Sequence, residues 1–180
     1  MIEKIPLKGK HIILRAPKET DIEDYLQCGK NPEIIRMYGG DTRYIKPLTR
    51  EKAIKWYQDA ENHPYIWFIE HNNKCIGLVR LTVNEQDKRA RYGIGIHDIN
   101  KLGKGFGTEA TNLILEYAFN VLKLHKVDLR VLEYNKRAIR CYEKCGFIVE
   151  GIDREGALIE DKFESDLFMS ILDYEYKNRT

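Results

Sequence analysis

The spacing of apolar residues changes halfway along the chain, and this change constrains the fold more than any other feature of the sequence. Residues 65–97 hold three β-rich runs joined by short polar turns, a pattern typical of an antiparallel meander. Residues 107–122 repeat apolar side chains at helical spacing, and residues 126–133 return to a strand pattern. A strand–helix–strand unit that follows a meander predicts a mixed, largely antiparallel sheet flanked by helices. The apolar face of the long helix consists of Ala110, Leu113, Ile114, Tyr117, Ala118 and Val121.

The rest of the chain fits the same fold class, which is α/β of the α+β kind. A strand opens the sequence, two helices separated by a loop follow it, and the chain closes with a short helix and two strands separated by a turn or loop. No repeat or linker-like stretch interrupts this order, so we expect a single domain over residues 1–180 with a core at about residues 10–173. The segments are strands at 11–17, 147–151 and 166–172, helices at 19–30, 49–62 and 136–145, and the loop at 36–48.

The composition argues against several classes of function. Thirty Lys and Arg against 28 Asp and Glu leave a formal charge of +2, which is too balanced for the broad basic face of a nucleic-acid-binding protein. No apolar run is long enough to span a membrane, so we expect a cytoplasmic protein without a membrane partner. The four cysteines contain no CxxC pair and the five histidines no HxH or HExxH pattern, so we expect no metal site.

A glycine-rich segment joins the meander to the long helix. Three glycines in five positions allow backbone N–H groups to converge at a helix N-terminus, where the helix dipole attracts anions. The segment therefore predicts a phosphate-binding loop, with a plain glycine-rich connection as the alternative. A Walker loop is excluded because Gly105 follows Lys104, and a dinucleotide fingerprint is weak because Thr108 replaces its last glycine. The loop consists of Leu102, Gly103, Lys104, Gly105, Phe106, Gly107 and Thr108.

Two motifs together carry a resemblance to a known family. The first is LGKGFGTEA at residues 102–110, and the second is NKRAIRCYEKCGF at residues 135–147. In this order and at this spacing they resemble the Gcn5-related N-acetyltransferase (GNAT) superfamily, in particular its ribosomal-protein N-terminal and polyamine acetyltransferase branch. The resemblance covers nearly the whole chain and implies a GNAT-like domain, in which two central strands splay apart. Leu102 departs from the family, which often has Gln or Arg there.

The resemblance implies that the chain binds acetyl-CoA as a cosubstrate. The pyrophosphate would lie on residues 102–108, and the pantetheine arm would enter the splay beside the strand YGIGI, at Gly95 and Ile96. Glycines within a strand often mark the close approach of a ligand, which agrees with this placement. The alternative is that Gly93 and Gly95 only make room for a packed helix. A backbone N–H near Ile96 would stabilise the negative charge that develops on the thioester oxygen.

Tyr142 and Asn135 match functional positions of the family. The resemblance implies that Tyr142 donates a proton to the leaving thiolate, and the reference pKa values of a phenol and a thiol, about 10 and about 8.5, allow this transfer. Since Tyr142 lies on an apolar helix face, a core role is the alternative. Asn135 would contact the cofactor arm, and it is also suited to cap the helix that follows.

The general base is less well defined by the sequence. Many members of the family have a glutamate at the position of Arg91, so that carboxylate is missing here. His97 is the best replacement, because its reference pKa of about 6.5 suits proton removal near neutrality. The alternatives are that His97 is a surface turn residue, or that Glu85 or a water relay takes the proton.

Together these features predict an enzyme that transfers an acetyl group directly from acetyl-CoA to a primary amine, either a protein N-terminus or a small molecule. A spermidine-type polyamine is the alternative acceptor, and a non-catalytic acyl-CoA-binding regulatory module is the alternative function. Tyr38, Tyr44 and Trp56 suit a peptide N-terminus or a small amphipathic amine, and packing between the helices is their alternative role. The oligomeric state, including a homodimer, is left open. The acidic residues expected to border the splay are interspersed with Lys and Arg, and this mixture of charges does not favour a polyamine. These acidic residues are Asp24, Glu33, Asp41, Glu85 and Asp87.

Overall fold

The strands of the chain form an eight-stranded sheet with helices packed against it. The computed structural model of the protein describes residues 4–179. Its strands are β1 (Leu7–Lys8), β2 (Ile13–Arg15), β3 (Ile66–His71), β4 (Lys74–Asn84), β5 (Arg89–Ile96), β6 (Lys126–Leu132), β7 (Ile148–Ile159) and β8 (Lys162–Leu172). Its α-helices are α1 (Asp21–Cys28), α2 (Pro32–Met37), α3 (Arg50–Glu61), α4 (Phe106–Glu116), α5 (Lys136–Lys144) and α6 (Asp173–Lys177).

The sheet confirms the mixed, largely antiparallel architecture. The strand order is β1-β2-β3-β4-β5-β6-β8-β7, and β5 and β6 form the parallel pair. The expected meander is β3-β4-β5, whose first hairpin turns at Asn72 and Asn73. Both residues have positive φ values, 51° and 61°, as a tight hairpin turn that matches the strand twist requires.

The two central strands separate after a short paired stretch. Strand β5 pairs with β6 only where residues 89–91 face residues 126–128. At the last pair, Arg91 Nε donates to Asp128 Oδ1 at 2.7 Å, so Arg91 ties the strands together at the point where they begin to diverge. Beyond it, the amide of His97 bonds to Ile76 on β4, and the alternate amides of β5 therefore face the gap. The splay predicted from the family resemblance is present.

The core lies mainly between the sheet and the pair α4 and α5. Ile114 and Leu115 of α4 are fully buried in the same cluster as Val127 of β6 and Met169 of β8. Helix α4 continues into a π-helical turn at Tyr117–Val121. The helical segment therefore ends one residue before residue 122, the end predicted from the sequence. This packing holds the N-terminal end of α4 beside the splay.

Two segments differ from the sequence predictions. Helix α2 was not expected before the loop; Asn31 caps it by accepting from the amides of Glu33 and Ile34, and proline occupies its first position. The turn or loop expected between residues 151 and 166 is present but shorter than expected, because β7 and β8 continue as a long hairpin that turns at Glu160 and Asp161. Backbone pairing to β8 holds this polar segment in the sheet.

Several expectations concern what the fold lacks or where it ends. Within residues 4–179, no helix is long and apolar enough to cross a membrane. The same part of the chain contains no group of three or more His, Cys, Asp or Glu side chains that could hold a metal ion. The limits expected for the domain, residues 1 and 180, lie outside the described residues.

Candidate functional site

The glycine loop forms the N-terminal end of α4. Gly105 is the residue that precedes the helix, with φ of 86°, and Gly103 has φ of 73°, so both adopt a backbone conformation that other residues rarely tolerate. The first-turn amides of a helix have no intrahelical acceptor, and no side chain caps this one. A Cβ built on either glycine would meet only open space. The loop therefore presents free donors to a neighbouring cavity.

This cavity, which we call the loop cavity, has a volume of about 370 Å³ and lies between the glycine loop and α5. Four cationic side chains border it and no carboxylate does, so it is suited to an anion such as a pyrophosphate. Arg137 pairs with Glu33 at 2.9 Å. The other three cations have no carboxylate partner among residues 4–179 and are Lys101, Arg140 and Lys144.

A second cavity, which we call the aromatic cavity, has a volume of about 1110 Å³ and is bordered by Tyr25, Trp56 and His97. The two cavities meet at the splay, because six residues border both of them. These shared residues are Ile34, Met37, Tyr38, Ile94, Asn135 and Tyr142.

Most of the predicted site residues border one of these cavities. Tyr142 and Asn135 border both, Gly95 and His97 border the aromatic cavity, and Lys104 borders neither. None of the five acids expected near the splay borders either cavity. The predicted residues that border the loop cavity alone are Ile96, Leu102, Gly103, Gly105, Phe106, Gly107 and Thr108.

Tyr142 on α5 is both a packed residue and a site residue. Its ring lies 6.3 Å from that of Tyr92 and 5.8 Å from that of Phe147, and the side chain is 8% exposed. Its hydroxyl has no hydrogen-bond partner within residues 4–179. Burial raises the pKa of Tyr142, so the phenol keeps its proton at neutral pH.

Asn135 uses its side-chain amide to organise the site. Its Oδ1 accepts from the amide of Ala138 at 3.2 Å and caps α5, while its Nδ2 donates to the Met37 carbonyl at 3.2 Å. The capping role anticipated from the sequence is therefore present. The second bond holds the end of α2 against the start of α5, at the junction of the two cavities.

Tyr38 lies across the splay and contacts the open edge of β5. Its hydroxyl donates to the Ile94 carbonyl at 3.0 Å and accepts from the Ile96 amide at 3.2 Å. Burial raises the pKa of Tyr38. The amide expected to stabilise developing negative charge thus faces the gap and is bound by a tyrosine hydroxyl, a contact that the sequence did not reveal.

His97 is a half-buried member of an aromatic cluster, so the alternative of a surface turn residue is wrong. Its ring centroid is 4.7 Å from that of Tyr25 and 5.7 Å from that of Trp56. Its Nε2 atom is buried without a hydrogen-bond partner in the described part of the chain. Burial lowers the pKa of His97 to about 4, so the ring is neutral at pH 7.

Cys141 lies beside the candidate site, although it was not among the site residues predicted from the sequence. It borders the loop cavity, and its Sγ lies 3.4 Å from the Thr108 hydroxyl. The neighbouring Cys145 thiol lowers the pKa of Cys141. The spacing of Cys141 and Cys145 by four residues, the second of them the residue that follows α5, is the signal in the sequence that places them on one face of the helix.

Comparisons with known proteins agree with this geometry. The sequence profile of the acetyltransferase (GNAT) domain matches residues 11–148. Spermidine N(1)-acetyltransferase of Escherichia coli (strain K12) is 35% identical, over 91% of this chain and 87% of that protein. The probable N-acetyltransferase YjcK of Bacillus subtilis (strain 168) is 31% identical, over 92% of this chain and 96% of that protein.

A solved structure has the same architecture. The crystal structure of spermidine N-acetyltransferase from Vibrio cholerae in complex with CoA and spermine aligns with a TM-score of 0.78 and 28% identity, covering 94% of this chain and all of that one (100%). The loop cavity, with its free amides and cations, fits the phosphates of the coenzyme. The chain belongs to the GNAT family of N-acetyltransferases, enzymes that use acetyl-CoA as acetyl donor.

Proposed function

We propose that the chain transfers the acetyl group of acetyl-CoA directly to a primary amine, a small molecule or a protein N-terminus. The observation that supports this most is the junction of the two cavities at Tyr142 and the open edge of β5. A donor in the loop cavity and an amine in the aromatic cavity would meet there. Direct transfer needs such a junction, because both substrates must be present together.

The loop cavity would hold the coenzyme. The amides of Gly105 to Thr108 would donate to the pyrophosphate, and Lys101, Arg140 and Lys144 would add charge. The pantetheine arm would lie along β5, where Ile94 and Ile96 present a carbonyl and an amide to the gap. Leu102 lacks the polar side chain common in the family, and the backbone donors are independent of it.

The chemistry can be assigned to two groups of this chain. Acetyl-CoA supplies a thioester, whose carbonyl carbon is attacked by the neutral amine. The amide of Ile96 would donate to the carbonyl oxygen as negative charge develops on it. Tyr142, whose phenol is protonated at neutral pH, would donate its proton to the sulfur as the carbon–sulfur bond breaks. The proton that the amine nitrogen loses would pass to water, and Tyr142 would regain its proton from the solvent. Asn135 keeps the junction in place through its two bonds. The lowered pKa of His97 makes it a weak base at pH 7, so the geometry favours a binding role for it.

A polyamine acceptor is the second candidate, supported by the names of the relatives. The residues of the aromatic cavity favour a different acceptor. Of its two carboxylates, Asp166 bonds to Arg130 and Asp59 to Lys55, while Lys30 and Arg80 have no carboxylate partner among residues 4–179. A cavity with unpaired cations and paired acids repels a polycation.

The proposal is tested by incubating the protein with acetyl-CoA and a panel of amines while measuring released thiol and, by mass spectrometry, the acetylated product. The panel contains spermidine, arylalkylamines, aminoglycosides and short peptides with free N-termini. We expect stoichiometric thiol release and N-acetyl product with at least one non-polyamine. Tight binding of acetyl-CoA without turnover of any amine would support the regulatory module instead.

Replacing Tyr38 by phenylalanine is expected to tighten acetyl-CoA binding by about tenfold. The change removes the hydroxyl that occupies the Ile94 carbonyl and the Ile96 amide, and each such bond contributes about 0.5–1.5 kcal/mol. Both groups are then free for the coenzyme arm. Calorimetric titration with acetyl-CoA checks this. Weaker binding by Tyr38→Phe would show that the hydroxyl contacts the coenzyme instead of competing with it.

A further inference from the structure

The aromatic cavity has one wall built from stacked rings, which we call the aromatic wall: Tyr25, Trp56, Phe68 and His97. The Trp56 ring stacks between Tyr25 and Phe68, with both centroid distances at 4.2 Å. The His97 ring meets Trp56 edge-on. Phe68 is fully buried behind Trp56, so Tyr25, Trp56 and His97 are the members that border the cavity.

Two polar atoms of this wall are buried without partners. They are Nε1 of Trp56 and Nε2 of His97. Within residues 4–179, neither atom has a hydrogen-bond partner. Folded proteins satisfy nearly all buried polar atoms with hydrogen bonds. Two unsatisfied atoms in one wall of a cavity therefore indicate a missing hydrogen-bond partner. The indole nitrogen can only donate, and a neutral histidine nitrogen donates or accepts. An oxygen atom with a proton, as in a hydroxyl group, satisfies both.

Free space connects the wall with the reactive edge of β5. Gly95, His97 and Tyr38 all border the aromatic cavity, and Gly95 has no side chain to fill the space between the other two. Tyr38 in turn contacts the Ile96 amide. A molecule that packs against His97 can therefore reach the place where the amine must attack.

The charges near the wall disfavour a cationic tail. His97 is neutral at pH 7, because burial lowers its pKa to about 4. The charged groups that border the rest of the cavity are Lys30, Arg80 and the ion-paired Asp59, Arg130 and Asp166. No unpaired carboxylate is present among these residues to balance a second ammonium group on the acceptor.

We propose that the aromatic wall binds the tail of the acceptor, and that this tail is an uncharged aromatic group carrying a hydroxyl that bonds to Trp56 and His97. The acceptor would then be a hydroxyarylalkyl primary amine. The proposal rests on the acetyltransferase activity proposed above, since it identifies the amine that this activity uses.

The matched pair tyramine and phenethylamine tests the hydroxyl directly, because the two differ only in that group, and spermidine represents the polyamines. Each amine is titrated calorimetrically into the protein saturated with CoA, which measures binding without turnover. We expect tyramine to bind about tenfold more tightly than phenethylamine, and spermidine to bind more weakly than both. The variant Trp56→Phe keeps a ring and removes the N–H, so the ratio between tyramine and phenethylamine should fall towards one.

The outcomes separate this proposal from the proposed function. Equal binding of tyramine and phenethylamine, stronger binding of spermidine, or an unchanged ratio in Trp56→Phe overturns the proposal even if the protein acetylates amines. The expected binding order without any thiol release would keep the aromatic wall as a ligand site and overturn the catalytic role. CoA titration of Trp56→Phe shows that the variant is folded.

Discussion

Tyr142→Phe is expected to lower kcat by about 10²–10⁴-fold while the affinity for acetyl-CoA stays unchanged. The substitution removes one hydroxyl and almost no volume, and that hydroxyl makes no hydrogen bond within residues 4–179 that the fold would lose. Packing against Tyr92 and Phe147 is kept. Without the phenolic proton, the sulfur must leave as an unprotonated thiolate, so the loss appears in turnover. Steady-state kinetics and calorimetry with acetyl-CoA measure the two quantities separately.

Tyr117→Phe is the matched control for this prediction. Tyr117 also packs its ring in the core, 5.1 Å from that of Trp67, and borders neither cavity. It should retain the kcat of the wild type. A Tyr142→Phe enzyme with near wild-type kcat would make Tyr142 a packing residue and leave the acid unassigned.

Gly105→Asp is expected to weaken acetyl-CoA binding by about a hundredfold or more. The new carboxylate would stand at the N-terminal end of α4, in open space on the side of the loop cavity. At about 5 Å from one phosphate charge, repulsion costs about 3 kcal/mol for an effective dielectric constant of about 20, and a pyrophosphate carries more than one charge. The carboxylate would also accept the amides that the phosphates need.

Gly105→Asn separates charge from backbone strain. The φ of 86° at this position disfavours any side chain, but Asn and Asp have the same shape and both tolerate the left-handed region better than other residues. We therefore expect the asparagine variant to bind acetyl-CoA at least tenfold more tightly than the aspartate variant. Equal affinities in the two variants would remove the loop from the phosphate site. Thermal unfolding of both variants, followed by circular dichroism, checks that they lose similar stability.

The sequence predicted the site residues better where a local pattern determines their geometry. Gly103 and Gly105 stand at positive φ in the structure, as the glycine spacing indicated, and Asn135 caps α5. It predicted His97 poorly, because a lone histidine after a strand gives no sign of the rings that surround it. Arg91 likewise ties β5 to β6 only through its bond to Asp128, which lies 37 residues away on the neighbouring strand.

The sequence by itself determined the fold class and the place of the glycine loop, because apolar periodicity, glycine conformation and helix capping act over a few residues of chain. The tertiary structure alone decided the contacts across the splay. Tyr38 reaches the Ile96 amide from 58 residues away, and His97 meets Trp56 only because α3 packs beside the end of β5. The length of the β7–β8 hairpin was also decided there, since its polar residues are held by backbone pairing that no side-chain pattern announces. Contacts between distant residues depend on how the elements pack, and that information is spread over the whole chain.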